Sequence, residues 1–231
     1  MVRWIDHNGA ARELPVSPAL LDGELYRADQ FRTGNRYPQQ RNYHGWFYFG
    51  PTAQHVWVES RLESSRLAHL EHTEDIVAIA SQPMELTFSD GTSHVPDFIA
   101  LHSDHRQTVY DVKPWNRMTK PGVADQFRKT AELCRKVGWG YRVLHEAPEA
   151  EGRNLTFLAN FKHPGFRPDD ATISRALAAT PATVTTVATA MLPNDLPMAR
   201  AQLFHLLWTR ELHCSIQLRL SPTTLIEGPH S

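Results

Sequence analysis

The spacing of apolar and polar positions divides the chain into elements before composition is considered. Two aromatic and β-branched runs, Trp46 to Phe49 and His55 to Val58, flank the break Gly50-Pro51-Thr52 and predict a β-hairpin. From Glu59 to His72 the period changes. Leu62, Arg66, Leu67 and Leu70 recur at helical spacing, with Ser60 near the start and acidic residues in the first turn, which predicts a helix. Three β-rich runs follow, Glu85 to Phe88, Val95 to Leu101 and Thr108 to Val112, separated by turn signals at Ser89-Asp90-Gly91 and Ser103-Asp104-His105. They predict an antiparallel meander. Gly122 to Val137 sets Val123, Phe127, Ala131, Leu133 and Val137 on roughly one side and stops at Gly138, a second helix, and Tyr141 to Leu144 reads as a buried strand. The order helix, three strands, helix, strand implies an α/β fold with a mixed β-sheet, because a crossover through a helix favours a parallel pair.

Both ends differ from this middle. Residues 1–44 mix Pro, Asn, Gln, Arg and Gly without a sustained period, and are expected to form an N-terminal arm or short hairpins laid on the main domain of residues 45–164. After Pro164 the character changes, so residues 165–231 are expected to be a separate C-terminal domain of three short helices and a β-like tail. Asp195 is placed to cap the third helix, with Pro197 in its first turn and Leu203, Leu206, Leu207 and Arg210 following. If Cys214 to Arg219 and Thr223 to Ile226 pair as a hairpin, the domain is winged-helix-like; the same helices equally suit a plain helical cap.

Composition narrows the class. A chain of 231 residues with 41% apolar and 21% charged residues can bury one ordinary core and a small satellite, and should fold. It holds no apolar run long enough to span a membrane, and its first residues lack the apolar stretch of a secretory signal, so a cytoplasmic protein with no membrane partner is expected. Cys134 and Cys214 belong to no metal-binding or disulfide pattern. His69 with His72, and His102 with His105, have the spacing of metal pairs, but with 13 histidines such coincidences are common and no cysteine or carboxylate motif completes a zinc site. A net charge of −1 means that any contact with nucleic acid must come from local patches and from metal ions offsetting phosphate charge.

The informative chemistry is acidic. Asp111-Val112-Lys113 alone carries little, since five lysines among this many acids give roughly half a chance (D/E)xK per chain. Its setting matters more. Asp97 follows Pro96 at the start of one strand, Asp111 and Lys113 end the next, and Glu63 sits on the helix before the sheet. Residues two apart on a strand share a face, so Asp111 and Lys113 should project together towards whatever Asp97 faces. Two or three carboxylates around an open position suit a hard divalent cation, and a lysine beside them adds positive charge near an attacked phosphate.

The succession of the helical Glu in WVESRLESS, then HVPDF, then VYDVKP resembles the PD-(D/E)xK nucleases. The fuller string from VWVESRLE through IVAIASQP, VPDF and DVKP looks like the catalytic domain of TnsA-like endonuclease subunits of heteromeric transposases, over about residues 45–145. The resemblance implies a restriction-endonuclease-like sheet and a magnesium-dependent DNA endonuclease, with manganese able to substitute. Glu63, Asp97 and Asp111 would be the metal ligands, the Val112 carbonyl a further one, and Lys113 the catalytic lysine. Gln82 and Pro83 match a recurrent element of that family, with a positioning role. The implied partners are double-stranded DNA, a DDE-type transposase subunit and an ATPase regulator. The chain departs from the pattern in carrying Asp at position 111, where Glu or Gln is common, and Glu59, four residues before Glu63, is an alternative helix ligand. A standalone restriction or repair nuclease, and an inactive DNA-binding scaffold of the same fold, are the competing functions.

Overall fold

The computed structural model describes residues 1–31 and 44–229, and the chain forms two compact units, Met1–Glu146 and Ala147–Ser231. The twelve residues between Phe31 and His44, part of the expected arm, lie outside the described residues.

The first unit is mixed α/β. Its central sheet has four strands: β5 (Ile76–Ser81), β8 (Phe98–His102), β9 (Gln107–Val112) and β10 (Gly140–Leu144), in the order β10-β9-β8-β5. β5, β8 and β9 pair antiparallel, and β10 is parallel to β9, as the helical crossover demands. That crossover is α3 (Pro121–Val137), which ends at Gly138 with φ 100°, the left-handed conformation that glycine adopts without a Cβ clash. The expected hairpin is β3 (Gly45–Phe49) with β4 (Gln54–Val58), and the expected first helix is α1 (Arg61–Thr73), N-capped by Ser60.

β5 does not appear among the elements predicted from the sequence. Ile-Val-Ala-Ile-Ala-Ser is an unbroken apolar run with no period of two, and such a run is ambiguous between strand and helix. The expected meander is also revised. β6 (Met84–Thr87) exists, but it pairs with β1 (Val2–Ile5) and with β7 (Ser93–His94) in a second sheet, completed by β2 (Ala11–Leu14). The separation occurs at Gln82, whose φ of 45° turns the chain out of the first sheet, and at Pro83, which has no N–H to continue a ladder. The described part of the N-terminal arm is therefore integral to the unit. Val2, Trp4, Leu20 and Leu25 are buried with Ile99 and Val109 of the central sheet and Leu133, Cys134 and Val137 of α3 in one core. Strand alternation sends Tyr110 and His102 to the opposite face, where His102 lies near Glu74, the C-cap of α1.

The second unit is mainly helical. It contains α4 (Glu149–Leu158), α5 (Asp170–Ala179), α6 (Val184–Met191) and α7 (Leu196–Trp208). The two compact units divide between Glu146 and Ala147, with α4 grouped with the later helices. Asp195 caps α7 as expected, accepting from the Met198 N–H at 3.1 Å. The expected hairpin between 214–219 and 223–226 does not form. Asn154, 4% exposed, takes the carbonyls of Ile216 and Leu218 at 2.9 and 2.8 Å and the N–H of Leu220 at 3.0 Å, so alternate backbone groups that a ladder needs bind a side chain instead. Leu225–Ile226, strand β12, pairs with Ala182–Thr183, strand β11, and a single bridge joins His213 to Glu227.

Candidate active site

Three of the four candidate residues, Asp97, Asp111 and Lys113, lie where β8 begins and β9 ends, and the fourth, Glu63, is in the first turn of α1. Phe98 stands opposite Tyr110 in the antiparallel register, and one step further the same alternation sets Asp97 opposite Asp111, on the face shared by Ile99 and Val109. Asp97 is fastened to β9 directly: its Oδ2 accepts the Val112 N–H at 2.6 Å. Lys113 continues the β9–β10 ladder, donating its N–H to Leu144 at 2.8 Å, so its side chain keeps to the Asp111 face.

Protein crowds the Asp97 carboxylate, and this desolvation, reinforced by the negative charges of Asp111 and Glu63, pushes its pKa well above the usual carboxylate range; Lys113 and the Val112 N–H pull the other way. Glu63 is also shifted upward, by burial first, against the hydrogen bonds from Glu59 and Ser60 and the charge of Lys113. The four sequence candidates therefore act on one another's charge.

Glu63 has a second role. Ser60 and Glu63 form a reciprocal cap: the Glu63 N–H donates to Ser60 Oγ at 3.1 Å, while the Glu63 carboxylate accepts from Ser60 Oγ at 2.7 Å and from the Glu59 N–H at 2.8 Å. Glu59 precedes this cap and so lies off the helix face on which its spacing from Glu63 had placed it. Glu63 is among the charges acting most strongly on Asp97.

Asp111, 1% exposed, is held on both oxygens. His94 Nε2 lies 2.8 and 3.0 Å from them, and the Tyr141 hydroxyl donates to Oδ2 at 2.5 Å. Gln126 of α3 bonds the other ring nitrogen of His94. Burial and the Asp111 charge both push the Tyr141 pKa up, which keeps that hydroxyl a donor. Sequence reasoning singled out neither residue. The available signals were modest: His94 stands three residues before Asp97 in His-Val-Pro-Asp-Phe, and Tyr141 lies two before Val143, which pairs with Asp111.

Gln82 and Pro83 fall next to this cluster. The Gln82 N–H donates to the Asp97 carbonyl, its carbonyl accepts from Phe31, and its side-chain oxygen accepts from Gln30, each at 2.8 Å. Among the histidines at metal-like spacing, His102 is a satisfied core residue, within 3.1 Å of Thr108 Oγ1 and 3.2 Å of the Tyr110 hydroxyl. Among the described residues, no group of three or more His, Cys, Asp and Glu side chains is disposed to hold a metal ion, and no helix is long and apolar enough to cross a membrane.

Neither family models nor curated proteins match this chain.

Proposed function

We propose that the chain is a divalent-metal-dependent DNA endonuclease of PD-(D/E)xK type, acting as the TnsA-like subunit that cleaves transposon ends. The observation that carries the reading is the electrostatic association of Glu63, Asp97, Asp111 and Lys113 around the junction of two adjacent strands. Three carboxylates beside one lysine leave negative charge uncompensated, and burial together with that charge raises Asp97. The donor type suits a hard oxygen-preferring cation such as magnesium, or manganese in its place, although the carboxylates are not gathered into a metal-holding group among the described residues.

Asp97, Asp111 and Glu63 would hold the ion, which when bound supplies charge neutralisation at a scissile phosphate and activation of water. The chain's own residues do the rest. Lys113 offers an ammonium beside the carboxylates, suited to orienting the nucleophile and stabilising charge as it develops on the phosphate. His94 and Tyr141 hold Asp111 in one orientation, and the Val112 N–H does the same for Asp97. The central sheet with α1 and α3 gives the restriction-endonuclease-like core of this proposal. In the second unit, β11 between α5 and α6, the pairing of β12 with β11 and the adjacent bridge of Glu227 to His213 follow winged-helix order, supporting a module that meets DNA or the transposase.

Cleavage of supercoiled plasmid with magnesium or manganese tests the reading, comparing wild type with Asp97→Ala and Lys113→Ala, alone and with its transposase. Nicking lost in both variants supports it, and dependence on the transposase separates the transposition role from a standalone nuclease. No cleavage with partners present, together with no calorimetric metal binding that depends on Asp97, leaves an inactive DNA-binding scaffold. That second reading is favoured by the hydrogen bonds already engaging Glu63 and Asp111.

A further inference from the structure

The strip that follows Lys113 combines an exposed aromatic side chain with exposed cations. Trp115 opens the short helix α2 (Trp115–Met118) and is 64% exposed, an unusual placement for the largest side chain. It is not loose: its backbone N–H donates to Glu146 Oε2 at 2.9 Å, and its ring lies edge-on to exposed His145 with centroids 4.9 Å apart. Pro114 caps the helix on one side, and Thr119 and Lys120 lead into α3 on the other. The backbone therefore fixes an aromatic plate two residues beyond the candidate catalytic lysine.

Two cations follow it in the chain. Arg117 and Lys120 are exposed and have no carboxylate partner among the described residues. Elsewhere in this unit exposed cations are commonly neutralised, as Arg3 is by Glu85, Arg12 by Asp6, Arg106 by Asp104 and Arg128 by Asp125. On a chain with net charge −1, an unpaired basic pair beside an open aromatic ring is a local exception. Positive charge attracts the phosphodiester backbone, and a tryptophan face accepts any base or sugar by stacking without reading sequence.

The geometry points to Trp115, Arg117 and Lys120, with His145 behind the ring, as a DNA-holding strip: Arg117 and Lys120 lie on phosphates, and Trp115 packs on a nucleotide next to the one to be cut. This inference rests on the nuclease reading and names how that site grips its substrate. It also explains how a protein without global basic charge keeps DNA at the carboxylates, where bare phosphate is otherwise repelled.

The test is fluorescence anisotropy with a labelled duplex of about 30 base pairs that carries a short single-stranded overhang, whose bases have open faces, in EDTA so that nothing is cut, across a range of salt. Trp115→Ala is expected to weaken binding about tenfold, one stacking contact's worth. Arg117→Gln with Lys120→Gln should lower the slope of log affinity against log salt by about two, one phosphate contact for each cation. Arg135→Gln, roughly 20 Å further along α3, removes a charge without touching the strip and should leave the slope unchanged. Wild-type protein that binds no duplex, or variants that bind it with wild-type affinity and slope, overturn the inference. Plasmid nicking is scored separately: a chain that binds through this strip yet never cleaves loses the nuclease reading and keeps the strip.

Discussion

The Val112 N–H lies 2.6 Å from Oδ2 of Asp97, so the residue between Asp111 and Lys113 is tied to the acid on the neighbouring strand. Any shift of one strand end along the other moves three candidate groups together. The bond also sets a limit on what replacing Asp97 can do, since Asn can still accept from Val112 whereas Ala leaves that donor without its partner.

Asp97→Asn is therefore expected to abolish nicking while leaving the metal-free protein as stable as wild type or more so, because it removes repulsion from Asp111 and Glu63. The pH dependence has a definite sign. A carboxyl whose folded-state pKa is raised contributes stability below its unfolded value and loses it as pH rises through the folded value. Thermal unfolding in EDTA should show wild type losing stability above the ordinary carboxylate range and Asp97→Asn losing less. Parallel pH profiles for the two proteins would contradict the assignment.

Tyr141→Phe and His94→Gln probe the hold on Asp111. Removing the Tyr141 hydroxyl leaves a carboxylate that is 1% exposed short of one donor, at a cost of about 1–3 kcal/mol in urea unfolding. If Asp111 binds metal, each variant should also raise the magnesium needed for half-maximal nicking by about 10- to 100-fold. A stability loss with an unchanged magnesium requirement would place Asp111 in the scaffold instead.

Much of this arrangement was legible in the sequence because it depends on local rules. The β3–β4 hairpin, α1 behind Ser60, α3 ending at Gly138 and the parallel β9–β10 pair each follow from period, cap or crossover. What escaped is non-local. No pattern within residues 1–14 says that Val2 and Trp4 will pair beside Met84 to Leu86, and none says that Asn154 will occupy backbone groups some 60 positions away. His94 and Tyr141 escaped for the same reason, being brought to Asp111 by a second sheet and a crossover strand.

The two thiols should be slow to react. Burial pushes Cys214 up to about 11, and Cys134, fully buried, higher still. Alkylation at pH 8 should proceed far more slowly than for a free thiol, with Cys214 accelerating as pH approaches 11 while Cys134 waits on unfolding. Rapid labelling of Cys134 in native buffer would contradict its place in the core.

Asn154→Ala tests the loop from Ile216 to Leu220. Three backbone groups lose their partner, and a destabilisation of the second unit by about 2–3 kcal/mol is expected in denaturant titration. An Asn154→Asp variant keeps the acceptor for Leu220 but sets a charge against two carbonyls, and should be no better than Ala. Wild-type stability in both would mean that the loop is held by other contacts.

Gln82 joins the two sheets of the first unit. The chain passes there from a strand of the central sheet to a strand of the second, so each sheet has one rigid arm ending at the same residue, and the Asp97 carbonyl is pinned to that pivot. The N-terminal hairpin pairs with β6, β6 begins two residues after Gln82, and the Gln82 N–H holds the Asp97 carbonyl. The N-terminal strands are thereby joined, through β6 and Gln82, to the residue whose half-buried carboxylate stands at the end of the other sheet.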